Sequence, residues 1–182
     1  MVNEIHRMHK KASAKTKAIL RTCRFYDTAG LIQQFKSHVL CILEGSNAAI
    51  YHAAVSHLAL LDHLQQSFVH NIGLNEETAF LTHNLAPLAL RRDISILGLL
   101  HKINLGIAHP DFRKLFPADE CARRLTRHNE LRHSLQFQET FGKTNYYNRS
   151  IFAAVRVYNV LPEHAVSLKS IQEFQSYLTA MA

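Results

Sequence analysis

Apolar residues recur at every third or fourth position through most of the chain, which is the spacing of helices with one buried face. The 182 residues include six glycines and four prolines, a scarcity that permits long helices and disfavours an all-β fold. The clearest stripes are Ile32, Phe35, Val39, Leu40, Ile42 and Leu43; Leu61, Leu64, Phe68 and Ile72; Leu90, Ile94, Leu97 and His101; and Ile171, Phe174, Leu178 and Met181. We therefore predict a mainly α fold, a helical bundle followed by an irregular connection and a C-terminal helix pair.

Capping residues indicate where several of these helices begin and end. Asp27 or Thr28 can cap the helix that follows, and Ser56 is expected to cap the next long helix. Asn75, followed by two glutamates, is typical of another helix start, since acids in the first turn are favoured by the helix dipole. Gly73 stands where a helix needs a left-handed closing residue.

The helical pattern fades in the middle of the second half of the chain. We predict a helical domain over residues 1–106, an irregular basic connection over 107–148 and a C-terminal helical pair over 149–182. A short helical turn is expected at 110–116. Residues 134–138 alternate as a short strand does, but a single strand needs a partner.

The first helix, expected over residues 3–22, belongs to the most basic segment of the chain. Its apolar stripe is loose, which predicts a helix solvated over most of its circumference. The stripe consists of Ile5, Met8, Ala12, Ile19 and Leu20, and the candidate phosphate-binding cations are Lys10, Lys11, Lys15, Lys17, Arg21 and Arg24. A cationic helix can follow phosphates without reading bases. The alternative is a charged face that only keeps the chain in solution.

Basic charge is unevenly distributed over the rest of the chain, which has a formal net charge of +7. Further candidate phosphate contacts are Arg91 and Arg92 in one helix, and Arg123, Arg124 and Arg127 in the connection. A clustered basic surface is the electrostatic signature of a nucleic-acid partner, although ordinary basic proteins share it. Phe141, Tyr146 and Tyr147 can stack on bases, or pack beneath a loop.

No sequence pattern for catalysis is present. Nucleotide-binding glycine loops, nucleophile motifs and zinc-binding spacings are missing from the sequence, and none of the five aspartates is paired with another aspartate. The thirteen histidines are interpreted as surface and boundary residues rather than ligands. We therefore expect no enzyme activity, no metal and no cofactor.

The cysteines and hydropathy suggest a compartment. Cys23, Cys41 and Cys121 are few, odd in number and far apart, which favours free thiols in a reducing, intracellular environment. Cys41 lies in an apolar helix and is expected in the core. The sequence contains no run of 18 apolar residues, so we expect no membrane span. The charged N-terminus is unlike a secretory signal.

Several segments stand in a familiar order. They are LIQQFKSHVL at 31–40, AIYH at 49–52, LLDHLQQ at 60–66, LALRRD at 88–93, LGLLHKI at 97–103, RSIF at 149–152, RVYNVLP at 156–162, and Ser170-Ile171 with Phe174. In this order they resemble the region beyond the catalytic core of non-LTR, LINE-type retrotransposon reverse transcriptases. Tyr158 replaces the Trp usual in that family, and the spacing before it is about one residue short.

The resemblance implies a helical, thumb-like unit that grips a template–primer duplex, followed by a C-terminal extension. It implies backbone contacts for Arg91 and Arg92 by motif position, whereas bonds to Asp93 or to neighbouring helices account for them equally well. The Asp-Asp motif of this RNA-directed DNA polymerase family has no counterpart, so the resemblance implies a truncated, non-catalytic fragment.

We therefore expect weak, sequence-independent binding to the backbone of RNA or DNA through basic helices. An alternative is a protein interaction module, in which the apolar helices 27–44 and 57–72 dock on a partner. That partner would be a polymerase palm domain or a second copy of the chain. A third alternative is a remnant of a retrotransposon without any function.

Overall fold

The computed structural model describes residues 2–119 and 133–181, and the protein is mainly α-helical, as predicted. Two compact units divide the chain, residues 1–92 and 93–182. No strand occurs within the described ranges. The alternating segment at 134–138 instead contributes an isolated antiparallel bridge between Ala118 and Phe137.

The first unit consists of short and long helices in close succession. They are α1 (Val2–Arg21), α2 (Thr28–Phe35), a π-helical turn (Lys36–Leu40), α3 (Cys41–Glu44), α4 (Asn47–Ile50), α5 (Val55–Asn71) and α6 (Glu76–His83). Helix α7 (Leu88–Asn104) contains the boundary between the units. The described helices of the second unit are α8 (Pro110–Leu115), α9 (Asn145–Asn148), α10 (Ile151–Asn159), α11 (Glu163–Val166) and α12 (Ile171–Met181).

The core of the first unit forms where the predicted apolar stripes meet. Helix α1 packs against α2, α3 and α5 with one stripe, made of Ile5, Met8, Ala12, Thr16 and Ile19. Phe35 and Phe68 are fully buried and their rings stack with centroids 4.2 Å apart. The apolar faces of helices 27–44 and 57–72, which we considered as docking surfaces, therefore cover each other and α1 within this unit.

Three of the predicted helix ends are confirmed, and one is wrong. The Asp27 carboxylate accepts a hydrogen bond from the Gly30 amide at 2.8 Å, and Gly73 closes a helix with φ of +78°. The Asn75 side chain caps α6. Ser56 is not a cap, because α5 begins one residue earlier and places Ser56 inside its first turn.

The boundary between the units falls at 92/93, inside α7, whereas the sequence pattern suggested a division after residue 106. The second half of α7 packs in the second unit. His101 Nε2 donates to the Leu168 carbonyl at 2.7 Å, and a Cβ on Gly98 would lie 2.5 Å from the amide nitrogen of Gln175. The packing of this half of α7 places residues 93–106 with the second unit.

The described parts of the predicted connection also belong to the second unit's core. Phe116 and Phe137 are buried, with their rings edge to face at 6.1 Å. The backbone of Phe137 is held by a side chain: its N–H donates to Asn159 Oδ1 at 3.0 Å, and its carbonyl accepts from Asn159 Nδ2 at 2.9 Å. One amide thus satisfies both backbone groups that a neighbouring strand would otherwise bind.

Candidate nucleic-acid interface

The basic face of α1 lies opposite its buried stripe. A shallow surface depression of about 560 Å³ is lined by His9, Lys10, Ser13, Ala14, Lys17 and Arg21. Lys10, Lys17 and Arg21 share this face because seven and eleven residues are close to whole numbers of helical turns. They extend over roughly 16 Å of helix axis, about five base steps of a duplex.

The other predicted cations of the N-terminal segment are also exposed, but on different sides. Lys11 and Lys15 lie together on one neighbouring side of α1, and Arg24 lies in the turn beyond the end of α1 at Arg21. None of these three, nor the cations lining the depression, forms an ion pair with another described residue. Arg7 differs, since its guanidinium binds the Glu4 carboxylate at 2.7 Å and is thereby neutralised.

Arg91 and Arg92 are bonded to neighbouring helices, which is the alternative that the sequence left open. The Arg92 side chain is 7% exposed, and its two terminal nitrogens donate to the two carboxylate oxygens of Asp62 at 2.7 and 2.8 Å. Arg91 donates to the Glu44 carboxylate. Because both guanidinium groups are already neutralised, they are poor candidates for phosphate contacts. Arg123, Arg124 and Arg127 lie outside the described residues.

The three candidate aromatic residues do not share one environment. Phe141 and Tyr146 are exposed, and Tyr147 is half-buried against Gly142. Phe141 therefore does not pack beneath a loop. The sequence could not distinguish these outcomes, because aromatic residues in a polar segment fit either environment.

A buried polar network in the second unit escaped the sequence analysis. The Tyr158 hydroxyl donates to His101 Nδ1 at 2.9 Å and accepts from Asn104 Nδ2 at 3.2 Å. His133 Nε2 donates to the Tyr158 carbonyl at 2.9 Å, while its Nδ1 accepts from the Leu135 N–H. Burial raises the pKa of Tyr158 to about 12. The two ring nitrogens of each histidine are thus engaged in hydrogen bonds within the second unit.

This network makes the stability of the second unit pH-dependent. Burial lowers the pKa of both His101 and His133, so the unfolded chain binds more protons than the folded one just below pH 6.5 or so. The free energy of unfolding is therefore highest above about pH 6.5. It decreases as the pH falls from there through the lowered pKa values of the folded protein. Nearby charge modulates this: His133 lowers the pKa of His101, and Glu163 raises that of His133.

We expect the urea midpoint of the second unit to decrease between about pH 7.5 and pH 5, as followed by hydrogen exchange of its peptides. Replacing His101 and His133 by glutamine should flatten this dependence. The same substitutions at His63 and His70, which are exposed, should leave the pH dependence unchanged. If the urea midpoint of the unsubstituted protein did not change with pH, His101 and His133 would not have the role given to them here.

The remaining candidate groups are dispersed. Within residues 2–119 and 133–181, no three His, Cys, Asp or Glu residues are gathered so that they could hold a metal ion.

Cys23 and Cys41 are free and exposed. The prediction that Cys41 is a core residue is wrong, because the burial of Val39, Leu40 and Leu43 turns Cys41 to the opposite side of its helix. None of the described helices is long and apolar enough to cross a membrane.

Comparison with known proteins adds no relative: no family model, curated protein or solved structure matches the chain. The likeness to LINE-type reverse transcriptases therefore rests on the order of the sequence segments described above. The candidate interface on α1 rests on the geometry of the helix itself.

Proposed function

We propose that this chain is a non-catalytic segment of a retrotransposon reverse transcriptase that binds the backbone of template–primer nucleic acid weakly and without sequence preference. The observation that carries the proposal is the basic face of α1, whose side chains are exposed. Lys10, Lys17 and Arg21 project from one side of the helix while the opposite side is fixed in the core.

The chemistry of this face fits phosphate better than base edges. Lysine is a point charge on a flexible stem, and it follows a row of phosphates without fixing the orientation of a base. Each neutralised phosphate releases counterions, so affinity falls steeply with salt. With about three to five contacts, the logarithm of the association constant should fall by about three to five for a tenfold rise in salt.

Neutralising the basic face should weaken binding and reduce its dependence on salt. We expect the triple variant Lys10→Gln, Lys17→Gln, Arg21→Gln to lose about 10- to 100-fold in affinity for a labelled duplex at low salt. The slope of log affinity against log salt should become shallower by about 2 to 3. Fluorescence anisotropy at several salt concentrations measures both quantities.

The matched control removes the same net charge elsewhere. Lys102, Arg113 and Lys169 are exposed cations outside α1, and changing all three to glutamine should alter the duplex affinity much less. Equal losses in the two triple variants would mean that net charge, and not the α1 face, attracts the duplex. Absence of binding by the unsubstituted chain at low salt would remove the proposal altogether.

The proposed origin has a test of its own. Genomic sequence directly upstream of this coding region should contain an intact or decayed polymerase core with the family's Asp-Asp motif. An upstream region with no trace of such a core would leave the nucleic-acid interface as a proposal and remove the reverse-transcriptase origin.

A further inference from the structure

A second candidate surface lies in the described part of the second unit, around Phe141. The Phe141 side chain is 84% exposed, although burying a large apolar ring would lower the free energy. Such a ring is commonplace on a surface when it is isolated and mobile. Phe141 differs, because specific contacts close the loop that carries it.

The loop is closed around the ring of Tyr147. The Tyr147 hydroxyl donates to the Thr140 carbonyl and lies 3.1 Å from the Thr140 hydroxyl. Gly142 packs directly on the ring, since a Cβ at this position would lie 2.4 Å from the Tyr147 Cγ. The backbone on both sides of Phe141 is therefore held by contacts within the loop.

A guanidinium group stands beside both rings. The Arg156 Cζ lies 5.5 Å from the ring centroid of Phe141 and 5.5 Å from that of Tyr147, within the range of a cation–π interaction. Among the described residues no carboxylate pairs with Arg156, and its Nε is buried without a hydrogen-bond partner. Residues 139–156 contain three cations and one acid. The cations are Lys143, Arg149 and Arg156, and the acid is Glu139.

We propose that Phe141, fixed by the Tyr147 loop and backed by Arg156, is a stacking platform for an unpaired base of single-stranded RNA or DNA. The exposed ring offers a flat face to the base, and the cations beside it face the adjoining phosphates. A purely apolar protein partner fits less well, because it would have to cover the charges of Arg156 and Lys143 without neutralising them.

The platform goes beyond the duplex-binding role of α1. It lies in the other unit and requires a base that is free of the double helix, whereas the α1 face requires only phosphates. The two sites are therefore tested by separate substitutions.

The test measures the affinity of the full chain for three probes of equal length, a uridine RNA oligomer, a thymidine DNA oligomer and a DNA duplex. We expect Phe141→Ala to weaken binding of the single strands by about 5- to 100-fold, the effect of removing one stacked ring. Duplex affinity should change less than about twofold. The RNA and DNA oligomers separate the two possible sources of the base.

Two variants control for a general effect of surface substitution. Phe141→Tyr keeps the ring and should retain single-strand affinity, while Leu81→Ala removes a side chain that is 74% exposed in the first unit and should have no effect. A 2-aminopurine placed in the thymidine oligomer should show fluorescence quenching with the unsubstituted protein and not with Phe141→Ala.

Unchanged single-strand affinity in Phe141→Ala would overturn the platform, as would an equal loss for single strands and duplex. Failure of the platform leaves the α1 face intact if the triple α1 variant still loses duplex affinity. Conversely, a loss restricted to Phe141→Ala would support the platform and contradict the α1 interface.

Discussion

Replacing Arg92 with alanine should lower the free energy of unfolding of the first unit by about 3 to 5 kcal/mol. The Arg92 side chain is 7% exposed and binds Asp62 through both terminal nitrogens, and the Asp62 side chain is 26% exposed. Removing the cation would leave this largely covered carboxylate without its partner, and the packing of the long side chain would be lost as well.

The adjacent arginine is the natural control. The Glu44 side chain is 27% exposed, much as Asp62 is, but Arg91 itself is 30% exposed where Arg92 is 7%, so less packing is lost and Arg91→Ala should cost about 1 kcal/mol or less. Urea unfolding followed by hydrogen exchange of peptides from residues 2–92 measures both. If the two alanine variants are equally stable, burial does not distinguish the pairs and the assigned role of Arg92 is wrong.

Replacing Tyr158 with alanine should destabilise the second unit by about 3 to 5 kcal/mol, the usual cost of removing a large buried ring. The ring is fully buried and lies near those of His101, His133, Phe137 and Phe174. Its hydroxyl also satisfies His101 and Asn104. The loss should appear as earlier exchange of the peptides from residues 133–181 in urea.

The phenylalanine variant separates the ring from the hydroxyl. Tyr158→Phe keeps the packing but leaves His101 Nδ1 buried without a donor, so we expect a cost of about 1 to 3 kcal/mol. The matched control is Tyr26→Phe at an exposed position, which should be nearly neutral. A Tyr158→Phe protein as stable as the unsubstituted one would show that the hydroxyl does not contribute through this bond.

Sequence periodicity identified the helices well because helical contacts are local. The stripe Leu61, Leu64 and Phe68 is buried as predicted, and so are Phe174 and Leu178 of the last helix. The choice between Asp27 and Thr28 as a cap was settled only by the structure, since both side chains can accept the same bond.

The functional interpretation of charge was harder to derive, because it depends on partners far away in sequence. Arg92 is 30 residues from Asp62, and Arg91 is 47 residues from Glu44, so no local pattern shows that these arginines are neutralised. The cations of α1 could be placed on one face, since helix geometry alone does that. The network of Tyr158 could not be predicted, because His101 is 57 residues away.

The amide of Asn159 limits which sequences can adopt this fold. Aspartate would present no donor to the Phe137 carbonyl, leucine would present neither donor nor acceptor, and glutamine would set the same group one methylene further out. Mutational drift should therefore be tolerated at the flanking Val157 and Val160, whose side chains face water, and be purged at position 159 wherever folding is under selection.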